Sequence, residues 1–318
     1  MERAIELLHD LVSIPSVTGE TQKSVQFLLD WCRMIGMDAI NDSGALVVNP
    51  KARGLLLLGH IDTVPGEIPV RIENGELWGR GSVDAKGPLC AALYALSQAP
   101  ELWDRVMLVA CPDEEGDSRT AKRVRDTIPQ MPCIILEPGN WEGITISYRG
   151  RIAADLIAEA KRSHSGSEEP FSTELAFARI SELASKHRVR ILQIDGDIIR
   201  TEARIDLRYK PDEKPLLHND GKTWFYVIED TPPYRSEKNS PLIRSFLGSI
   251  RGAGGSPQFK NKTGTSDMNT LGEKWTTPIV AYGPGDSKMD HTDDERMDLS
   301  DYQKGIEVLL SAMRAIVS

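Results

Sequence analysis

The sequence predicts an α/β fold with a mostly parallel sheet and a smaller α+β segment inserted into it. Three observations carry that prediction. Short apolar runs recur at 54–58, 106–110, 133–136 and 278–283, and such runs read as strands covered on both faces. Helical spacing alternates with the first of them, as in βαβ units. From about 143 to 235 the texture shifts toward alternating apolar and polar residues, the mark of strands with one wet face, before the α/β texture returns. At roughly 100–200 residues per domain, 318 residues suggest two domains. The expected division is 1–149 with 236–318 for one, and 150–235 for the other.

Each element has a local reason. Residues 2–13 and 20–36 place Ile5, Leu8 and Val12, then Val25, Leu28, Leu29 and Cys32, at helical spacing, with Pro15 and Gly19 between them. Gly36 stands where a glycine closes a helix. Strands follow at 45–48 and 54–58, then a short one at 76–81. A helix is expected over 88–98, a strand over 106–110, a helix over 118–128 and a strand over 133–136. Residues 144–160 read as one long strand. Leu175, Phe177, Ile180 and Leu183 make 173–185 a helix. Asp195-Gly196 is a favoured two-residue turn between strands 188–194 and 197–207, and 224–228 is a further strand. Ser240-Pro241 starts a helix that runs to about Arg251. The last helix begins near Ser300.

Composition narrows the function classes. Hydrophobic content of 40% and charged content of 27% are ordinary for a globular enzyme. A net charge of −9 argues against nucleic-acid partners and against anionic membrane surfaces. No apolar run approaches the ~18 residues of a membrane span, and residues 1–8 read as a helix start rather than a signal peptide. A cytoplasmic location is expected. Cys32, Cys90, Cys111 and Cys133 form no Cys-x-x-Cys pair and are expected as buried thiols.

The chemistry lies at the strand ends. His60 and Asp62 close the leucine run, Asp84 follows the 76–81 strand, Glu114 and Glu115 follow 106–110, Glu137 follows 133–136, and His291 follows 278–283. Taken singly, each has a plain alternative: a carboxylate after a strand is often a helix cap or a solvated turn. Taken together, two imidazoles and several carboxylates at one sheet edge suit a pair of divalent cations such as zinc, because the carboxylates otherwise repel.

Gly59-His60-Ile61-Asp62-Thr63-Val64-Pro65, Gly79-Arg80-Gly81-Ser82-Val83-Asp84-Ala85-Lys86-Gly87, Asp113-Glu114-Glu115-Gly116 and Glu137-Pro138 resemble, in order and spacing, the successive motifs of the M20 family of zinc-dependent exopeptidases and deacylases. The resemblance spans nearly the whole chain. It implies a zinc-exopeptidase catalytic domain with an inserted lid and dimerisation domain. It further implies two divalent metal ions, zinc with cobalt as the alternative. His60, Asp84 and Glu137 would hold one, and Asp84, Glu115 and His291 the other. Glu114 would be the general base, Asp62 would orient His60, and the peptide after Asp84 would be cis. Ser163-His164-Ser165-Gly166 resembles the lid motif whose imidazole donates to the developing oxyanion, often across a dimer. Arg208, in Asp206-Leu207-Arg208, would bind a substrate carboxylate or pair with an acid.

One departure stands out. Residues 209–223, rich in Pro, Asp and Gly, cannot carry the second helix of the usual lid. A truncated lid with one main helix is expected, which counts against a homodimer through the lid and against His164 acting in trans.

Lys262-Thr263-Gly264-Thr265-Ser266-Asp267-Met268-Asn269 and the stretch 281–292 resemble one subgroup: acetyl-lysine and acetylornithine deacetylases that also act as amino-group carrier protein–lysine or –ornithine hydrolases. The expected substrate is therefore an N-acyl amino acid or a carrier-protein conjugate in lysine or arginine biosynthesis. Gly264, Thr265, Ser266 and Asp267 read either as a capped helix start or as a loop that cradles a carboxylate. An M20-type aminopeptidase or carboxypeptidase is the second reading, and an inactive metal-binding module the third.

Overall fold

The computed structural model describes residues 2–317; Met1 of the expected first helix lies outside the described residues. The chain divides into two compact units. One comprises 1–147, 236–261 and 266–318, and the other 148–235 with 262–265. The short piece 262–265, expected with the α/β part, clusters with the inserted one.

The first unit is α/β. Its sheet places the strands Val106–Cys111, Leu55–His60, Cys133–Ile135 and Ile279–Ala281 side by side, all parallel. Antiparallel strands flank them: Ala45–Val48 with Ala39–Asp42 on one side, Gly143–Tyr148 on the other. Every residue of Leu55–His60 is buried, so the leucine run has no wet face, as its composition requires. Gly59 is needed there because a Cβ would lie 2.9 Å from the Leu136 Cβ. The parallel neighbours can then close up at the edge where His60 emerges.

The helices form where their caps allow. Gln22–Met34 ends in a Schellman arrangement: the Met37 amide reaches the Cys32 carbonyl and the Gly36 amide the Arg33 carbonyl, with Gly36 at φ +84°. In Pro241–Gly252 the Ser240 hydroxyl accepts from the Ile243 amide at 3.2 Å. Lys86–Ser97 is buried almost all round. Its first residue, Lys86, is itself buried, and its ammonium donates to the Leu11 carbonyl in the last turn of the helix Glu2–Val12 and to the Ile14 carbonyl just beyond it. Burial lowers that ammonium to about 8. All four cysteines are free and buried, and burial raises each thiol, which keeps it inert.

The second unit is a four-stranded antiparallel sheet, ordered Arg188–Gly196, Arg200–Tyr209, Gly150–Glu159, Thr223–Thr231. The helix Ser172–Ala184 packs Ala176, Ile180 and Leu183 onto Ile152, Leu156, Ile205 and Leu207. Among the described residues it is this unit's one helix, and 210–222 carries none.

Two expectations need correction. The long strand over 144–160 is two strands, Gly143–Tyr148 and Gly150–Glu159. The break falls where the chain leaves one sheet for the other. The hairpin does not turn at Asp195-Gly196. Pairing runs on to Gly196 opposite Thr201, and the turn is made by Asp197. The Asp197 Oδ1 accepts from the Ile199 amide at 2.7 Å and the Arg200 amide at 3.0 Å. A local side-chain cap therefore outcompetes the Asp-Gly signal. No helix of the described residues is long and apolar enough to cross a membrane.

Candidate metal centre

The parallel strands of the first unit end at one edge, and the loops there carry the reactive side chains. His60 is the last residue of its strand, and Asp62 follows two residues on. Glu114 and Glu115 follow Val106–Cys111, and Glu137 follows Cys133–Ile135. Asp84 precedes Lys86–Ser97, and the Asp84–Ala85 peptide is cis. His291 lies between Ile279–Ala281 and the last helix, Leu299–Val317, with φ +61°.

His60 is 1% exposed. Its Nδ1 lies 2.9 Å from the Asp62 carbonyl oxygen and 3.5 Å from the Asp62 carboxylate. A carbonyl only accepts, so Nδ1 carries the proton, and Nε2 faces Asp84 Oδ1 at 3.2 Å and Glu137 Oε1 at 3.9 Å. The other Asp84 oxygen, Oδ2, is 3.0 Å from His291 Nε2. That nitrogen is in turn 2.8 Å from Glu115 Oε1. One carboxylate thus stands between two imidazoles.

The Asp62 carboxylate is fully buried and well used. It accepts from the Thr18 hydroxyl at 2.8 Å and from the Glu114 and Glu115 amides at 3.1 Å each. The expected orienting contact to His60 is made chiefly by the Asp62 carbonyl, and the carboxylate shapes the glutamate loop.

The charges are mutually dependent. Burial raises the Asp84 carboxyl, but hydrogen bonds with His291 and His60 together outweigh it and hold Asp84 below the usual range. Burial likewise opposes ionisation of Asp62, and contacts to His60, Thr18 and the Glu114 amide overcome it. Hydrogen bonds to Asp84 and Glu115 push His291 up to about 10. Burial acts to lower His60, yet its carboxylate neighbours raise it well above its ordinary value. Glu114 is pushed well up, first by burial and then by the charges of Glu137, Asp267 and Glu115.

This donor set fits a divalent cation. His60, Asp84 and Glu115 each offer an atom within 4.8 Å of the others. Glu115 therefore lies within reach of both histidines, although the expected grouping gave it to the His291 side. With both imidazoles neutral, the carboxylates would crowd without compensation; borderline divalent ions take this mix of nitrogen and oxygen donors.

His164, Arg208, Gly264 and Thr265 belong to the second unit, Ser266 and Asp267 to the first. His164 is exposed in its loop in the second unit; its Nδ1 accepts from the Gly166 amide at 3.1 Å, which places the proton on Nε2. Arg208 pairs with Asp206 at 2.9 Å and donates to the Thr265 hydroxyl at 3.2 Å, so the acid-pairing alternative is the one observed within that unit. Gly264 and Thr265 are half-buried there. Ser266 is a helix cap: its hydroxyl accepts from the Met268 amide and its own amide donates to Asn269. Asp267 is 2% exposed, and burial raises it to about 7.

Three contributors escaped the sequence reading: Thr18, which holds Asp62, and the pair Arg80 and Glu295. Arg80 lies within the Gly79–Gly87 motif and Glu295 just beyond the stretch 281–292, but the two are 215 residues apart, and no periodicity links them.

The chain resembles known proteins along nearly its whole length. The sequence profile of Peptidase family M20/M25/M40 matches residues 56–315. The [LysW]-lysine hydrolase of Deinococcus radiodurans is 37% identical over 99% of this chain and 98% of its own length. The [LysW]-lysine/[LysW]-ornithine hydrolase of Sulfurisphaera tokodaii is 30% identical over 98% and 95%. Among solved structures, aminopeptidase PepT from Bacillus cereus superposes with a TM-score of 0.82 at 16% identity, over 100% of this chain and 99% of that one. A dinuclear metal-binding M20 peptidase from Bacillus subtilis gives 0.77 at 10% identity, over 99% and 98%. The structures speak for the fold; the profile and the full-length relatives speak for descent, and this chain belongs to peptidase family M20/M25/M40.

Proposed function

We propose that this chain is a metal-dependent amide hydrolase that frees lysine or ornithine from a conjugate with the carrier protein LysW. The observation that carries the chemistry is Asp84 set between the Nε2 atoms of His60 and His291, beside Glu114. Near full-length likeness to hydrolases of that name supports the substrate. His60, Asp84 and Glu137 would hold one divalent cation, zinc or cobalt, and Asp84, Glu115 and His291 the other. When bound, they supply a water of lowered pKa and polarise the scissile carbonyl.

The chain's own groups do the rest. Glu114 takes a proton on its carboxylate and returns it to the departing amine; a carboxyl raised by burial and by like charge suits that exchange. Asp62 keeps Glu114 and Glu115 in place through their amides. Without a cation, Asp84 and Glu115 hold His291 in place by its Nε2.

The test is turnover. Metal-stripped protein refilled with zinc or cobalt is given lysine joined through its amine to a glutamyl carboxylate, acetyl-lysine, acetylornithine and simple dipeptides. Fastest release from the glutamyl conjugate is expected. Preferential cleavage of the dipeptides would turn the assignment to a peptidase.

A further inference from the structure

Outside the ligands themselves, one buried ion pair joins the two loops that carry Asp84 and His291. Glu295 is 1% exposed. Its Oε1 accepts from the backbone amides of Val83 and Asp84, each at 3.0 Å. Its Oε2 accepts from Arg80 Nη1 at 2.8 Å. The same Arg80 nitrogen donates to the Thr292 carbonyl at 2.9 Å, and Arg80 Nε donates to the Gly66 carbonyl at 3.0 Å. The Gly79 amide closes the ring on the Glu295 carbonyl. A buried carboxylate is thus fully engaged, and every bond lands on the backbone beside a proposed ligand or on the arginine that ties it there.

The two sides of the centre are supported differently. His60 ends a central strand, and Glu137 follows the parallel strand beside it, so the sheet ladder places both. His291 has no such support. It sits in an irregular loop, its side chain is 50% exposed, and its backbone is in the left-handed region. The turn that holds it, Thr292 amide to Met289 carbonyl, is tied to the rest of the unit through Arg80.

We propose that Glu295 and Arg80 are positioning residues that set the cation affinity of the His291 side while leaving the His60 side to the sheet. The inference rests on the metal-ligand reading given above. Glu295 fixes where the Asp84 carboxylate starts, and Arg80 fixes where His291 can reach; the span between them is what the clamp controls. Outer partners of metal ligands commonly change affinity by roughly 10–100-fold.

Zinc titration calorimetry of the metal-stripped full chain tests this, with Glu295→Gln and Arg80→Lys beside the wild type. Gln keeps an acceptor for the two amides but offers Arg80 no charge; Lys keeps the charge but loses the guanidinium fork that holds the Gly66 carbonyl through Nε while Nη1 serves Thr292 and Glu295. The wild type should bind two zinc ions. In both variants the weaker ion should lose about 10–100-fold while the tighter one changes less than about threefold. Cobalt absorption should show the first equivalent unaltered and the second displaced to higher metal concentration. Equal weakening of both ions, or no weakening in either variant, overturns the proposal. Two unaltered ions in Arg80→Lys overturn it even if Glu295→Gln does not fold. A wild type that binds no zinc overturns the ligand reading itself, which is a different result from a wild type that binds two and variants that match it.

Discussion

The Glu114 amide donates to Asp62 Oδ1 at 3.1 Å, and this single bond couples the loop after the leucine strand to the loop that carries the two glutamates. The other oxygen of the same carboxylate takes the Glu115 amide and the Thr18 hydroxyl. Asp62→Asn replaces one acceptor oxygen by an NH2 group that must face an amide or a hydroxyl donor. We expect a loss of about 10–100-fold in kcat or metal affinity. Thr18→Ala removes one bond of three and should cost less. Steady-state kinetics with metal analysis of both variants checks the ranking; a Thr18→Ala loss as large as that of Asp62→Asn would contradict it.

Glu114 is proposed to move protons and not to hold metal. Glu114→Ala should keep both cations and lose about 10²–10⁴-fold in kcat. A variant that retains a tenth of the wild-type kcat, with full metal content, would exclude the general-base role.

The histidines give the metal-free protein a characteristic pH dependence. His291 is raised to about 10 and His60 well above its ordinary value. A folded pKa above the unfolded one, about 6.5 for His, stabilises fully below that lower value and is lost as pH rises through the folded one. This contribution to stability should therefore decline from about pH 6.5 to about pH 10 in the metal-free chain. Cations displace these protons, so binding should release them and strengthen as pH rises. Calorimetry in two buffers of different ionisation enthalpy reads the proton count; no release, or uptake, would show that the imidazoles are not the ligands.

Stability should follow the sheet and the caps in different measure. Leu57 is fully buried between parallel neighbours, and Leu57→Ala should cost about 2–5 kcal/mol. Ser240→Ala removes a cap bond and should cost about 1 kcal/mol. Urea unfolding followed by circular dichroism measures both; near-equal costs would mean that the sheet relaxes around the cavity.

Legibility tracked the range of the interaction. Apolar runs such as 54–58 disclose a doubly covered strand because every side chain must be buried, and the absence of a helix from 210–222 was visible in its prolines and glycine. The turn at Asp197 was not visible, because a favourable dipeptide two residues earlier carries the stronger statistical signal while the actual side-chain cap depends on the pairing of Gly196 with Thr201. Ser266 and Arg208 each had two local readings; the structure shows Ser266 capping the Met268 amide and Arg208 paired with Asp206.

By itself, then, the sequence determined the α/β framework, the inserted unit and the set of side chains at the strand ends, since burial and chain punctuation are local properties. Tertiary structure alone decided how those side chains share their bonds. That Asp62 serves the glutamate loop and that Glu295 binds the Asp84 amide are both contacts between segments far apart in the chain. Their geometry exists only once the sheet has brought the segments together.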